Sequence, residues 1–267
     1  MHTVELEWIR KIQEVLRSAW LDRFFLGWGY VDTLGFILIV VSAVWYLLDR
    51  RIGIRLIYVF LLNAVVNQAL KSYFGLPRPC QVDPSVGLLC FPNHGFPSGA
   101  AQQAILIAGI IFVESHKKLY RCLGILFALF LCFSRIYLGV HYFSDILGGL
   151  IVGGVLLVVY AKLFPLCEKC WKLYVWLCPV LLLLIGRFKA VDLASFAVGL
   201  AIGLLLSRRE ERGICKFVSV LVGLFVFSAG MSLYPLFSIP LAILSGLWLS
   251  WLGAKIPCGG RRRARLR

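Results

Sequence analysis

Long apolar stretches separated by short polar loops dominate this chain. Apolar runs cover about 33–48, 52–71, 98–114, 119–134, 145–163, 173–186, 190–207, 214–231 and 236–253, nine in all. At about 1.5 Å per residue, a helix over such a run reaches or approaches the ~30 Å hydrocarbon core of a bilayer. The shortest, 173–186, suits a tilted or partly re-entrant segment. Residues 4–25 read differently. There Trp8, Ile9, Ile12, Val15, Leu16, Ala19 and Trp20 recur at helical spacing, with Arg10, Lys11, Glu14 and Arg17 between them. That pattern predicts an amphipathic helix, either lying in the membrane interface or capping the bundle. The expected fold is all-α: a polytopic transmembrane helical bundle of about nine spans plus this N-terminal helix, with no sheet and no soluble domain. The chain divides into an amphipathic segment (1–31), a core bundle (32–165), a C-terminal transmembrane extension (166–256) and a basic tail (257–267).

Composition agrees: 60% of residues are hydrophobic and only 15% charged, with mean hydropathy +0.86, which excludes an ordinary soluble domain. A net charge of +15 would point to nucleic acid in a soluble chain. Here the charges sort by side. When the 28 basic residues are assigned to alternate ends of the nine runs, most fall on one side, including Arg50, Arg51, Arg55, Lys117, Lys118, Arg121, Arg208, Arg209, Arg212 and the tail from Arg261 to Arg267. The positive-inside rule places that side in the cytoplasm, with the C-terminus, and places the N-terminus and His141 on the non-cytoplasmic face. The tail then reads as a topological anchor and a contact for anionic lipid, with no nucleic-acid partner. Nine cysteines form no disulfide framework, and Cys122, Cys132 and Cys178 sit within apolar runs as small hydrophobes. Cys167-x2-Cys170 lacks the second pair or the histidines that a zinc site needs, so no metal is expected there. No cleavable leader is expected either, because the first 31 residues are amphipathic and carry acids as well as bases.

Candidate chemistry gathers in three polar stretches on the one non-cytoplasmic face. Lys71-Ser-Tyr-Phe-Gly-Leu-Pro-Arg78-Pro79 closes an apolar run with a lysine and holds an arginine between prolines that stiffen the loop. Gly95-Phe-Pro-Ser98-Gly99-Ala100 opens the third run with small residues and helix-start amides that favour an anion. Ser134-Arg135-Ile-Tyr-Leu-Gly-Val-His141-Tyr-Phe-Ser-Asp145 places an arginine, a histidine and an aspartate between two apolar runs, where charge is costly unless it is functional. His141 and Asp145 are four apart, the spacing that puts two side chains on one face of a helix. Asp145 can then take the proton of one imidazole nitrogen and leave the other as a nucleophile. Cations, amides, a hydroxyl and an oriented imidazole together suit phosphoryl transfer.

Lys-x6-Arg-Pro, Pro-Ser-Gly-x and Ser-Arg-x5-His-x3-Asp, in that order on one face, resemble the signature of type 2 phosphatidic acid phosphatases over residues 50–160. The resemblance implies that Lys71, Arg78 and Arg135 bind phosphate, that Ser98 and Gly99 donate hydrogen bonds to it, that His141 is transiently phosphorylated and that Asp145 orients it. It implies no metal and no cofactor, which fits the shortage of carboxylates, since only Asp83 and Asp145 lie near the site in the sequence. The implied substrate is a phosphorylated lipid in the bilayer. The external N-terminus, the nine runs and the spans beyond residue 163 are similar to glucose-6-phosphatases, whereas Leu138 to Asp145 looks more like the lipid-directed bacterial branch.

One position departs from the family. Where the family has a histidine that protonates the leaving oxygen, this chain has Ala100, and a positioned acid is typically worth about 10²–10⁴ in rate. The expectation is therefore a lipid phosphatase or diphosphatase impaired at that step, either an inactivated variant or a chain that uses a leaving group able to depart without protonation, which a diphosphate fits better than a monoester. The alternatives are a hydrolase of a small soluble phosphate, or a non-catalytic binder of phosphorylated lipid. His94 is a substitute acid only if its loop bends back. Cys80 and Cys90 flank the loop between the first two stretches, where a disulfide is chemically permitted on this face and two unpaired cysteines are the other reading. Gly199, Gly203, Gly223 and Gly230 mark the C-terminal runs as close-packing helices that flank the core, shape substrate access or mediate self-association.

Overall fold

The computed structural model describes residues 2–163, 180, 188–206, 213–233 and 235–255, and among them there are helices and turns but no strand. The run at 173–186 (Val180 apart), Cys167-x2-Cys170 and the basic tail lie outside the described residues. The chain forms two compact units. The first comprises Met1–Ile37 and Val59–Trp171, the second Leu38–Tyr58 and Lys172–Arg267. Residues 38–58, which take in the larger part of the first apolar run and the start of the second, thus group with the C-terminal region. All three polar stretches fall in the first unit.

The N-terminal segment is two helices, α1 (His2–Leu16) and α2 (Ala19–Trp28), where the sequence predicts one. The break falls at Ser18, whose extended backbone and side chain cap α2 by accepting from the Leu21 amide. Leu6 and Ile9 of α1 pack into a buried cluster with Val86, Ala101, Ile136, Tyr142 and Ile146. Its polar side chains tie the same region together. Gln13 Nε2 donates to the carbonyls of Val86 (2.8 Å) and Tyr137 (2.7 Å), and Glu5 accepts from the Ser144 amide and hydroxyl, both at 2.9 Å. In this structure α1 therefore caps the first unit. A short turn, Gly29–Asp32, leads from α2 toward α3 (Leu34–Ala43).

The first unit also takes in α4 (Arg50–Phe74) from Val59 onward, the single turn α5 (Pro79–Val82), α6 (Gly99–Glu114), α7 (Lys118–Tyr137) and α8 (Phe143–Val158). Central α6 is buried along much of its length and packs on both α7 and α8. Close approach to α8 requires glycine. A Cβ at Gly149 would lie 2.5 Å from the Ser98 carbonyl oxygen, so any larger residue would push α8 away from the start of α6.

Three described helices are long and apolar enough to cross a bilayer, Arg50–Val82, Lys118–Tyr137 and Phe143–Lys162, and a fourth results if Ala19–Asp32 and Leu34–Leu48, bent by 64°, make one broken span. This is fewer than the nine apolar runs. The runs report composition, whereas caps and breaks set helix length: α6 ends at Ser98 and Ser115, and its 16 residues extend only about 24 Å. In the second unit the helix Phe188–Leu206 packs closely on Ser238–Leu247, with Gly246 against the Phe196 carbonyl.

Candidate active site

Lys71 lies in the last turn of α4, which stops because Gly75 takes a positive φ of 61° and its amide returns to the Lys71 carbonyl. The Lys71 ammonium is buried and donates to the carbonyls of His94 (2.6 Å) and Gly95 (3.1 Å). Pro79 then forces Arg78 into extended backbone and begins α5. The Arg78 guanidinium is buried too. It donates from Nε to the Asn93 carbonyl (2.8 Å), from Nη2 to Asn93 Oδ1 (2.7 Å) and from Nη1 to the Val140 carbonyl (2.9 Å). The Gly95 amide bonds the Leu76 carbonyl at 2.8 Å, so the loop before α6 closes over the first motif.

A disulfide joins Cys80 to Cys90 and closes the intervening loop, the pairing left open by the sequence. This loop is also pinned to the segment after α7: the Cys80 amide donates to the Gly139 carbonyl (3.1 Å) and the Leu88 amide to the Leu138 carbonyl (3.1 Å). Gly139 has φ 68°, and a Cβ there would strike the Val86 carbonyl, so the turn that delivers His141 admits only glycine.

His141 and Asp145 meet, but not as two positions on one helix face. His141 lies in the loop ahead of α8, and Asp145 is at the third position of that helix. Asp145 Oδ2 accepts from the Tyr142 amide (2.9 Å) as a cap and lies 3.2 Å from His141 Nδ1, so the capping bond is what aims the carboxylate at the ring. A carboxylate only accepts, so Nδ1 carries the proton and Nε2 presents its lone pair. Arg78 Nη1 lies 3.1 Å from that Nε2. Burial first, then the positive charges of Arg78, Lys71 and Arg135, push the imidazole well below its ordinary value of 6.5, so it is neutral at physiological pH.

Ser98 caps α6: its hydroxyl accepts from the Ala101 amide (3.4 Å) and its own amide donates to the Asp145 carbonyl (3.0 Å). These bonds lock the α6 start onto α8, and the amides of Gly99 and Ala100, in the first helical turn, have no acceptor within their own helix. The Ala100 methyl is buried in an apolar cluster with Ala104 and Leu131, against which Trp28 and Phe127 pack. His94 contributes its carbonyl to Lys71 while the residue itself is exposed.

Arg135, in the last turn of α7, is 1% exposed. Its Nη1 is 3.4 Å from Asp32 Oδ2, Nη2 reaches the Trp28 carbonyl at 3.5 Å, and Nε has no hydrogen-bond partner. Asp32 is not among the residues the sequence marks as near the site. It stands alone ahead of an apolar run, and that isolation is the signal available. Asp83, by contrast, turns away: it is half-buried, paired with Arg10 at 2.6 Å, and hydrogen bonds from Ser85 and then Arg10 hold its carboxyl down at about 2. Asn93, which holds two edges of Arg78, carries no sequence signal beyond a polar loop.

Three cations therefore meet two carboxylates and a neutral imidazole, leaving the buried site short of negative charge. Buried charge without a partner is costly, so an anion is the natural occupant. Residues 52–169 match the PAP2 superfamily. The chain carries a PAP2 superfamily domain. Phosphatidylglycerophosphatase B of Bacillus subtilis is 28% identical over 160 residues, which cover 55% of this chain and 77% of that protein. Human sphingosine-1-phosphate phosphatase 2 is 27% identical over 45% of this chain, and the match spans only 35% of that protein's length. An undecaprenyl-diphosphatase of Sulfolobus acidocaldarius is 32% identical over 39% of this chain and 51% of its own. A solved structure, the transmembrane PAP2-type phosphatidylglycerolphosphate phosphatase from Bacillus subtilis, superposes with a TM-score of 0.51 at 26% identity, over 62% of this chain and 87% of that one. The PAP2 domain and these membrane relatives make this a multi-pass integral membrane protein.

Proposed function

We propose that this protein removes phosphate from a lipid phosphate or lipid diphosphate on the non-cytoplasmic face, through a phosphohistidine formed on His141. The observation that carries this reading is the held imidazole: Nδ1 against Asp145 at 3.2 Å and Nε2 against Arg78 at 3.1 Å, beside the buried, incompletely paired Arg135. A phosphoryl group bound by Lys71, Arg78, Arg135 and the α6 amides takes Arg78 off the imidazole and leaves Nε2 facing phosphorus. The nitrogen attacks, the ester oxygen leaves, and water then hydrolyses the phosphohistidine. Asp145 keeps the proton on Nδ1 and stabilises the positive ring as it forms.

A lipid substrate is favoured by where the groups sit. Lys71 and Arg135 are in the last turns of α4 and α7, while Ser98 and Asp145 are at the starts of α6 and α8, so the cluster belongs to one end of the bundle. A headgroup can enter there while its chains stay in hydrocarbon. The positive-inside asymmetry assigns that end to the non-cytoplasmic side. Ala100 brings no proton donor, which impairs any step relying on the family's histidine.

The test is phosphate release by the purified protein, in detergent and in nanodiscs, from phosphatidic acid, phosphatidylglycerophosphate, sphingosine phosphate and prenyl diphosphate, with His141→Ala as control. Release from at least one lipid, lost in the variant, together with an acid-labile phosphoryl adduct on His141, is the expected result. Turnover of a sugar phosphate with none of any lipid would replace the lipid reading with a soluble one. Binding without any release would leave a phosphate-lipid binder.

A further inference from the structure

We infer that Asp32 is the general acid of this site, standing beside Arg135 on the flank where Ala100 supplies no proton. The inference rests on the phosphatase reading above. The turn Gly29–Asp32 is seated on α6 next to position 100. Gln103, three residues on from Ala100 and so on the same side of the helix, donates its Nε2 to the Asp32 carbonyl at 3.3 Å. Trp28, one turn earlier, packs against the cluster that contains Ala100. The chain has thus laid the turn that carries Asp32 against the helix side from which the expected histidine is missing.

That carboxylate faces the cation cluster. Asp32 Oδ2 lies 3.4 Å from Arg135 Nη1, and its charge also interacts with Arg78 and Lys71. Its hold on Arg135 is loose, because a charge-assisted hydrogen bond has a length of about 2.7–2.9 Å. Besides this ion pair, the Asp32 carboxylate is held by a backbone hydrogen bond within its own residue. Its side chain is 23% exposed where that of Arg135 is 1% exposed, so the carboxyl keeps some access to solvent with which to exchange a proton. His141 touches Arg78 and Asp32 touches Arg135, so nucleophile and carboxyl each contact a different cation of the cluster, and the proposed in-line displacement has them act from opposite sides of phosphorus.

The step balances. A phosphate arriving on Arg135 takes over its charge and, as a like charge, favours the protonated form of the carboxyl. Nε2 of His141 forms its bond to phosphorus, the bond from phosphorus to the ester oxygen breaks, and the Asp32 proton moves to that oxygen. In the second step water attacks phosphorus, its proton returns to Asp32, the bond from phosphorus to nitrogen breaks, and inorganic phosphate is released.

The experiment compares a long-chain alkyl phosphate, whose alkoxide needs a proton to leave, with p-nitrophenyl phosphate, whose phenolate does not. In a single turnover, Asp32→Asn should slow release of the alcohol from the alkyl phosphate by about 10²- to 10⁴-fold and change the burst of p-nitrophenol by less than about tenfold, because only the first of these needs the proton. A retained p-nitrophenol burst also shows that the variant is folded. Adding Ala100→His to Asp32→Asn should restore alkyl phosphate hydrolysis. An equal loss on both substrates, or none on either, overturns the assignment and leaves Asp32 as the counter-ion of Arg135. Failure of the unaltered protein on every phosphate ester removes the phosphatase reading itself, and the assignment with it.

Discussion

Arg78 Nη1 lies 3.1 Å from His141 Nε2, the ring atom facing away from Asp145. The attacking nitrogen of the proposed reaction is thus covered by a guanidinium that is itself fixed by Asn93 and Val140. Only a planar fork can hold all these partners, so lysine is a poor replacement. Arg78→Lys should reduce kcat/KM at least about tenfold although charge is kept. Steady-state kinetics on a lipid phosphate checks this.

Asp145 does two jobs with one oxygen, capping α8 and holding the His141 proton. Asp145→Asn keeps the size but offers the ring a neutral amide. The expected loss is about 10²- to 10⁴-fold in kcat with little change in KM, measured under substrate saturation.

The neutral imidazole has a pH signature. Because the folded value for His141 lies well below 6.5, its resonance in histidine nitrogen NMR should remain that of the Nδ1-protonated neutral ring through pH 6.5 and lower. An unfolded chain takes up this proton near 6.5 and the folded chain does not. This group therefore makes stability fall as pH drops below about 6.5, down to its folded value, and contributes no such change above it.

Much of this architecture is legible in the chain. The apolar runs at 52–71, 119–134 and 214–231 reappear as helices displaced by a few residues, because apolar length and helix length agree where no cap intervenes. The site is legible where a costly charge interrupts apolar sequence, as at Lys71, Arg78, Arg135 and Asp145. It is not legible where geometry alone creates the contact. His141 reaches Asp145 through a helix cap and not through helical spacing, Asn93 matters only because its loop folds back on Arg78, and Asp32 meets Arg135 across more than a hundred residues.

The disulfide between Cys80 and Cys90 closes a loop whose two ends lead directly to Arg78 and to Asn93. Cys80→Ser with Cys90→Ser, or reduction, should therefore raise KM for a phosphorylated lipid several-fold. Tm should fall as well, since cross-links of this kind stabilise by about 2–4 kcal/mol. Kinetics and thermal unfolding with and without reductant test both.

Gln13 spends both amide hydrogens on the carbonyls of Val86 and Tyr137. Gln13→Ala leaves both acceptors buried and unpaired, so a destabilisation of about 1–3 kcal/mol is expected, read from thermal unfolding in detergent. If α1 were only a surface anchor, the substitution would be neutral.

The unpaired Nε of Arg135 has a consequence for the end of the catalytic cycle. On the proposed reading, the free inorganic phosphate left after hydrolysis carries as much charge as the substrate headgroup and lacks only the acyl chains. The same positive surplus that draws the headgroup in must slow the escape of this ion, so turnover is set by how fast the site lets its product go.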